Sequence, residues 1–116
     1  MSNEAKWIID SGCSRHMTGN KELFFEIKRI DGGIVSFGNN QKGKVVGIGK
    51  VGSFNSFYLE NVLLVENLSY NPISISQLCD KNCLVSFLKH HCHVMDGNGK
   101  PLFVAPRKEN LYISKF

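Results

Sequence analysis

The sequence lacks the features that would place a protein in a membrane or direct it out of the cell. Its longest apolar stretches are short, as in Val62-Leu63-Leu64-Val65, whereas a membrane-spanning helix needs about 20 apolar residues. The N-terminus also lacks the basic-then-apolar pattern of a secretory signal. We therefore expect an intracellular protein with no membrane partner.

The sequence also lacks any block of like charge, any internal repeat and any low-complexity tract. Its 14 Lys and Arg residues exceed its 10 Asp and Glu residues, for a net charge of +4, but the basic residues are scattered. Nucleic-acid-binding domains usually concentrate such charge on one face. We therefore predict no nucleic-acid partner.

The cysteine content is low, with Cys13, Cys79, Cys83 and Cys92 in a chain of 116 residues. These four residues are enough for two disulfides. Without a secretory signal, however, a reducing compartment is expected, where disulfides are rare. We therefore predict that all four are free thiols.

The sequence does contain many short segments rich in β-branched and aromatic residues, separated by Gly, Asn and Asp. This pattern is typical of β-strands joined by turns. Strands are predicted at residues 6–9, 34–37, 44–48 (continuing towards 54), 57–65, 84–88, 91–95, 102–105 and 111–114. The prediction is an all-β fold with one or two short helices, as a single domain over residues 1–116, in which residues 1–5 are a linker or were added for expression.

Two short helical segments and one tight hairpin are predicted within this β pattern. Asn20 is a suitable cap for a turn over residues 21–24. A helix is predicted at residues 73–79, because Pro72 suits a first helical position and Ile75, Leu78 and Cys79 then share one face. The turn residues at 96–99, Asp-Gly-Asn-Gly, predict a hairpin.

The triplet Asp10-Ser11-Gly12 follows the first predicted strand directly. A carboxylate at that position lies at the edge of the core. Gly12 permits a sharp turn and the close approach of a second backbone, and the Ser11 hydroxyl can bond to neighbouring backbone and stiffen the loop. The pattern indicates a presented, catalytic Asp10, although the same triplet also occurs in ordinary turns.

Three motifs extend this pattern along the chain, namely Trp7-Ile8-Ile9-Asp10-Ser11-Gly12-Cys13-Ser14 with His16-Met17, Val45-Val46-Gly47-Ile48-Gly49, and Val62-Leu63-Leu64-Val65 leading into Asn71-Pro72-Ile73-Ser74-Ile75-Ser76-Gln77-Leu78. Together they resemble the protease of copia-type retrotransposons, a branch of the retropepsin-like aspartic proteases. The resemblance covers roughly residues 6–80. The sequence departs from the retroviral enzymes at Ser11, where Thr is commoner, and at Ser74, where they have glycine. The strands predicted after residue 83 also prevent a direct transfer of the retroviral terminal dimer sheet.

The resemblance implies a retropepsin-like barrel with one lobe per chain, acting as a homodimer on its own Gag-Pol polyprotein, in the cytoplasm or within virus-like particles. It implies that Asp10 is catalytic, that Ser11 and Gly12 brace it across the dimer, and that the strands and helix around residues 73–78 support the loop from beneath. It implies equally that no metal or cofactor is needed. It also implies a flap that closes over a peptide substrate. By its position, the flap is the hairpin at residues 34–46, with the substrate-binding tip at Phe37, Gly38, Asn39, Asn40 and Gln41.

Three other functions remain open. A zinc site made by Cys13 and His16 with His91 and His93 is one, although the spacing fits no compact zinc module. A serine or cysteine hydrolase using Ser11 or Cys13 with His16 is another. The third is a protease-like binding domain without catalysis. For His16 itself we expect a partly buried ring that donates to a backbone carbonyl near the loop.

Overall fold

The computed structural model describes residues 5–38 and 40–116. Within these ranges the chain forms mainly β-strands, with one α-helix and one 3-10 helix. In chain order they are β1 (Lys6–Asp10), β2 (Met17–Thr18), the 3-10 helix (Lys21–Leu23), β3 (Phe24–Arg29), β4 (Ile34–Phe37), β5 (Gln41–Gly52), β6 (Tyr58–Val65), β7 (Pro72–Ser74), α1 (Ile75–Asp80), β8 (Leu84–Phe87), β9 (His91–Met95), β10 (Pro101–Lys108) and β11 (Leu111–Lys115). The predicted all-β class is confirmed. Neither helix in the described ranges has the length and apolar character needed to cross a membrane.

The strands form two sheets. The first has six strands in the order β7-β1-β11-β10-β9-β8, with β1 parallel to β7 and antiparallel to β11. The second has five strands, in the order β2-β6-β5-β3 with β4 also paired to β5. Ala5 extends the first sheet by exchanging backbone hydrogen bonds with Phe116, at N···O distances of 3.1 and 3.2 Å. The ordered sheet thus includes the last residue of the predicted linker.

Two hydrophobic clusters fill the interior. Alternate side chains of a strand point to opposite faces, so Trp7 and Ile9 of β1 enter the larger cluster while Lys6, Ile8 and Asp10 lie on the other face. The smaller cluster consists of Met17, Phe37, Val45, Leu63, Val65 and Leu68. It lies beneath the β4–β5 hairpin, and Cys13 and Tyr70 pack against it.

Glycine permits one close approach between strands of the second sheet. A Cβ atom added to Gly49 in β5 would overlap the backbone carbonyl of Glu26 in β3. The antiparallel pairing of Ile27 with Gly49 therefore requires a residue without a side chain.

Most predicted elements are present. The turn at 96–99 is confirmed, because one carboxylate oxygen of Asp96 accepts hydrogen bonds from the backbone of Asn98 and Lys100, at 2.8 and 2.9 Å. Asn20 caps the 3-10 helix by accepting from the backbone N–H of Glu22 at 3.0 Å. The four cysteines are free, as predicted.

The predicted helix at residues 73–79 is wrong at its start. Pro72–Ser74 instead forms β7 in parallel with β1, and Ser74 caps α1 by accepting from the backbone N–H of Gln77 at 3.1 Å. Cys79 is exposed rather than on the buried face. β2, β3 and β7 were not predicted, because β2 and β7 are too short to show a period and β3 is exposed along almost its whole length.

Candidate functional site

Asp10 is the last residue of β1 and is held by pairing with β7. Its neighbour Ile9 pairs with Ile73 and Asp10 itself pairs with Ser74 of β7, all within the parallel ladder. Ile73 and Ser74 are completely buried, whereas Asp10 is partly exposed. The backbone of Asp10 is therefore fixed by the sheet while its carboxylate faces outward.

Both oxygens of the Asp10 carboxylate accept hydrogen bonds within its own loop. The backbone N–H of Gly12 donates to Oδ1 at 2.8 Å, and the Cys13 thiol donates to Oδ2 at 3.3 Å. Burial raises the pKa of Cys13 to about 11, helped by the hydrogen bond to Asp10 and its negative charge. The thiol is therefore protonated at neutral pH and is available as a donor.

Ser11 does not have the role expected from the sequence within one chain. Its side chain is exposed, and the side-chain hydrogen bonds of the described ranges include none from its hydroxyl to the neighbouring backbone. The loop is instead held by Gly12 and Cys13.

His16 anchors the end of this loop from beneath. Its ring Nδ1 accepts a hydrogen bond from the backbone N–H of Ser74 at 2.9 Å, and its own backbone N–H donates to Gln77 Oε1 at 2.9 Å. The Gln77 amide then donates to the carbonyls of Glu60 and Asn61 at 3.2 and 3.1 Å. His16 was expected to donate to a carbonyl, but its Nδ1 is an acceptor because an N–H of β7 faces it.

The environment of His16 keeps the ring neutral. Burial, with a smaller contribution from the charge of Arg15, lowers the pKa of His16 to about 4. Because Nδ1 already accepts a hydrogen bond from the Ser74 backbone, this nitrogen is not available to take a proton from a nucleophile. This geometry argues against His16 as the base of a serine or cysteine hydrolase.

The predicted flap is a hairpin of β4 and β5. Ile34 pairs with Lys44, Phe37 pairs with Gln41, and the backbone N–H of Gln41 donates to Gly38 O at 3.3 Å. Asn40 has a φ of 60°, a left-handed conformation that Asn adopts more readily than most residues. Asn39, also predicted to lie at the tip, is outside the described residues.

A groove of about 450 Å³ separates the hairpin from the Asp10 loop. Of the predicted site residues, Asp10, Gly12, Phe37, Gly38 and Asn40 line it, while Ser11 and Gln41 do not. Phe37 is buried in the smaller cluster and so mainly anchors the hairpin. The remaining lining residues, which were not among the predicted catalytic, loop-supporting or substrate-binding residues of the protease, are Cys13, Ser14, Arg15, Met17, Val35, Ser36 and Tyr70.

Sequence reasoning missed Tyr70 and the particular contact made by Gln77, although it expected the segment at residues 73–78 to support the Asp10 loop. Tyr70 lies 60 positions after Asp10 in the chain but reaches the same groove. Gln77 belonged to a recognised motif, yet its bond to His16 joins residues 61 positions apart. The sequence motif at residues 71–78 pointed to Gln77, whereas no sequence feature pointed to Tyr70.

The residues proposed for a zinc site are not brought together. Across residues 5–38 and 40–116, no three His, Cys, Asp or Glu side chains are arranged to hold a metal ion. Cys13 is bonded to Asp10 and His16 to Ser74, whereas His91 and His93 lie on β9 with their rings 5.8 Å apart. The zinc hypothesis for these four residues is therefore wrong.

Comparisons with known proteins relate most of the chain to transposon polyproteins. A family described as "Pol polyprotein, beta-barrel domain" matches residues 7–83. The chain is 31% identical over 116 residues to "Retrovirus-related Pol polyprotein from transposon RE2" of Arabidopsis thaliana, covering 95% of the chain and 8% of that protein. It is 33% identical over 75 residues to "Retrovirus-related Pol polyprotein from transposon TNT 1-94" of Nicotiana tabacum, covering 61% of the chain and 6% of that protein. The chain thus corresponds to a small part of each relative, and no solved structure matches it.

Proposed function

The chain belongs to the family of Pol polyprotein β-barrel domains, and from this premise we propose that it is an aspartic endopeptidase that processes a retrotransposon Gag-Pol polyprotein. The observation that carries the proposal is the groove between the Asp10 loop and the β4–β5 hairpin. It has a fixed carboxylate on one side and a hairpin tip on the other. This arrangement suits hydrolysis of a peptide held beneath a flap.

The active enzyme is a homodimer. Among the described residues that line the groove, Asp10 supplies the sole carboxylate, whereas water activation by the aspartic mechanism needs two. A two-fold axis beside Asp10 brings in the second carboxylate from an identical surface. The exposed Ser11 hydroxyl then lies where it contacts the partner loop and braces it.

Hydrolysis proceeds by general acid-base catalysis. One Asp10 carboxylate removes a proton from a water held between the pair, and the water oxygen adds to the scissile carbonyl carbon. The other Asp10, protonated, gives its proton to the carbonyl oxygen. Collapse of the resulting tetrahedral diol breaks the C–N bond as the first Asp10 gives its proton to the leaving nitrogen. The second Asp10 takes a proton from one hydroxyl of the diol, which becomes the carbonyl of the product acid and returns the pair to its starting state. No metal ion or covalent intermediate takes part.

The substrate is an extended segment of the polyprotein. A strand-like peptide in the groove runs beneath the tip residues Gly38 and Asn40, bound through main-chain hydrogen bonds and side-chain pockets. Processing takes place in the cytoplasm or within virus-like particles, where the polyprotein is assembled.

The direct test is cleavage of a peptide library prepared from a digested proteome, with products sequenced by mass spectrometry. The unmodified protein should cut, and Asp10→Asn should reduce the rate by at least about 100-fold, because the amide has a similar shape but cannot act as a base. The matched control is Asp31→Asn, the same change at an exposed position outside the groove, which should retain activity.

Three outcomes would contradict the proposal. Cleavage retained by a well-folded Asp10→Asn variant would exclude Asp10 as the catalytic group. Specific activity is also expected to fall when the protein is diluted through the dimer dissociation constant measured by sedimentation. Specific activity that stays constant on this dilution would exclude a site shared between two chains. A folded dimer that leaves every peptide intact would instead be a protease-like binding domain.

A further inference from the structure

Arg15 carries the only positive charge among the described residues that line the groove, where Asp10 is the other charged group. The loop that bears Arg15 is held at two points. On one side, the backbone N–H of Gly12 donates to Asp10 Oδ1 at 2.8 Å. On the other side, the backbone N–H of His16 donates to Gln77 Oε1 at 2.9 Å. The Arg15 side chain is nonetheless exposed, so an anchored loop presents a cation to the groove.

The guanidinium of Arg15 forms no ion pair within residues 5–38 and 40–116, where the two ion pairs are Lys50–Glu26 and Lys81–Glu60. A guanidinium has five N–H donors and is more weakly hydrated than an ammonium group, so it exchanges water for a carboxylate at a smaller cost. Arg15 is therefore able to bind an acidic group that enters the groove.

The size of the groove limits the distance between Arg15 and the reacting bond. Its volume of about 450 Å³ corresponds to a sphere roughly 10 Å across, a length that an extended peptide covers with about three residues. Because Asp10 and Arg15 line the same groove, a substrate side chain that meets Arg15 lies within about three residues of the scissile bond. The positions next to the bond are less suitable for an acid, because the singly protonated Asp10 pair is negatively charged.

We propose that Arg15 is a specificity-determining residue that binds the carboxylate of a Glu or Asp side chain in the substrate. This inference rests on the proposed protease function, because it concerns the peptide held in the same groove. The planar guanidinium can donate to both oxygens of a carboxylate. In the homodimer, the two-fold axis supplies one Arg15 from each chain. The preferred substrate therefore has an acidic residue on each side of the scissile bond.

The first test aligns the peptides cut from the digested-proteome library on the cleaved bond. Glu and Asp should be enriched within about three residues on both sides. Arg15→Gln should remove this enrichment, Arg15→Lys should keep it, and Arg15→Glu should replace it with enrichment of Lys and Arg. The matched control is Arg29→Gln, the same change at an exposed position of β3 outside the lining of the groove, which should keep the original pattern.

The second test measures the strength of the contact with two copies of one cleaved peptide, which carry Glu or Gln at the enriched position. For the unmodified protein, kcat/KM should be about tenfold higher for the Glu peptide, a typical effect of a hydrogen bond to a charged group. For Arg15→Gln the ratio should fall to about one. Raising the NaCl concentration from about 0.05 M to about 0.5 M should also lower the ratio, because salt screens exposed charges. A general loss of folding or of dimer lowers both rates alike and leaves the ratio unchanged.

The third test measures binding without cleavage. Asp10→Asn protein is immobilised, incubated with the same peptide library above its dimer dissociation constant, and the retained peptides are sequenced. Peptides that contain Glu or Asp should be enriched, and adding Arg15→Gln should lower this enrichment at least about threefold. Adding Arg29→Gln instead gives the same net charge and should leave the enrichment in place.

The outcomes separate this inference from the proposed function. A Glu-to-Gln ratio that Arg15→Gln leaves unchanged would overturn the role of Arg15. Equal loss of acidic peptides with Arg29→Gln would reduce the effect to net charge, and retention of no peptide by any form would also overturn the inference. Absence of cleavage by every form would refute the protease function, and the retained peptides would still decide whether Arg15 selects acidic sequences.

Discussion

Replacing the buried His16 by Asn should remove a large part of the acid sensitivity of the fold. The ring is 3% exposed, and its Nδ1 accepts from the backbone of Ser74. The Asn side-chain oxygen can occupy nearly the same place as Nδ1, so the acceptor is retained while the titrating group is lost. We expect some loss of stability at neutral pH from the smaller volume, but a flatter dependence on acid.

The magnitude follows from the pKa of His16, which is lowered from 6.5 to about 4 in the folded protein. The unfolded chain therefore binds a proton in a range where the folded chain does not, and stability falls with acid. The contribution is fully present above pH 6.5 and is lost as the pH falls towards 4. At about 1.4 kcal/mol per pKa unit, unfolding should become easier by about 2 kcal/mol at pH 5 and about 3 kcal/mol at pH 4.

The assay is urea unfolding at a fixed protein concentration from pH 8 to pH 4. The quantity to compare is the free energy of unfolding of His16→Asn minus that of the unmodified protein, which cancels the titration of carboxylates common to both. This difference should shift in favour of the variant by about 3 kcal/mol across the range. The matched control is His91→Asn, which changes an exposed residue at the start of β9 and should leave the acid sensitivity in place.

Parallel curves for the unmodified protein and His16→Asn between pH 7 and pH 4 would refute this reasoning. They would mean that the ring is not a buried neutral acceptor, or that the folded protein protonates it at little cost. The anchoring role of His16 beneath the Asp10 loop would then have to be abandoned.

Two further predictions concern the support of the site and the dimer. Gln77→Leu should lower the free energy of unfolding, measured in urea, by about 2–3 kcal/mol, because the backbone N–H of buried His16 loses its acceptor. The control Cys79→Ser changes an exposed residue of the same helix and should alter this free energy little. Equal effects of the two substitutions would contradict the role of Gln77. Ile8 of β1 pairs with Ile113 of β11, and continuing this antiparallel register by two residues places exposed Leu111 opposite Asp10. Leu111→Glu should therefore raise the dissociation constant of the proposed dimer about tenfold in sedimentation, corresponding to about 1.4 kcal/mol. The control Leu84→Glu, on edge strand β8, should leave this constant unchanged. An unchanged dissociation constant for Leu111→Glu would place the two-fold axis elsewhere.

The local parts of the fold were predictable because short-range chemistry determines them. The hairpin at Asp96 is built from contacts within four residues, and Asn20 caps the turn that follows it directly. The consecutive apolar residues Trp7, Ile8 and Ile9 identified β1 for the same reason. In each case the residues that form the structure lie within one sequence window.

The supports of the site were not predictable because they join distant residues. The bond from Ser74 to His16 spans 58 positions and that from His16 to Gln77 spans 61. Tyr70 follows no pattern in the sequence, and only the fold brings it to the groove that Cys13 and Gly38 also line. Periodicity gives no sign of such contacts, so the sequence indicated Asp10, its loop and the supporting segment at residues 73–78, but not the individual hydrogen bonds that hold the loop.

Ser74 shows how the fold accommodates a buried hydroxyl where β7 meets α1. A buried hydroxyl without a partner would destabilise the fold, but the Ser74 hydroxyl accepts from the Gln77 backbone at 3.1 Å and bonds to Ser76 at 3.0 Å. The Ser74 N–H meanwhile donates to His16. The same residue therefore caps α1, pairs with Asp10 in the sheet and orients the ring beneath the loop. Glycine would supply the backbone bonds but not the cap, so Ser74 makes the helix and the Asp10 loop parts of one hydrogen-bonded unit.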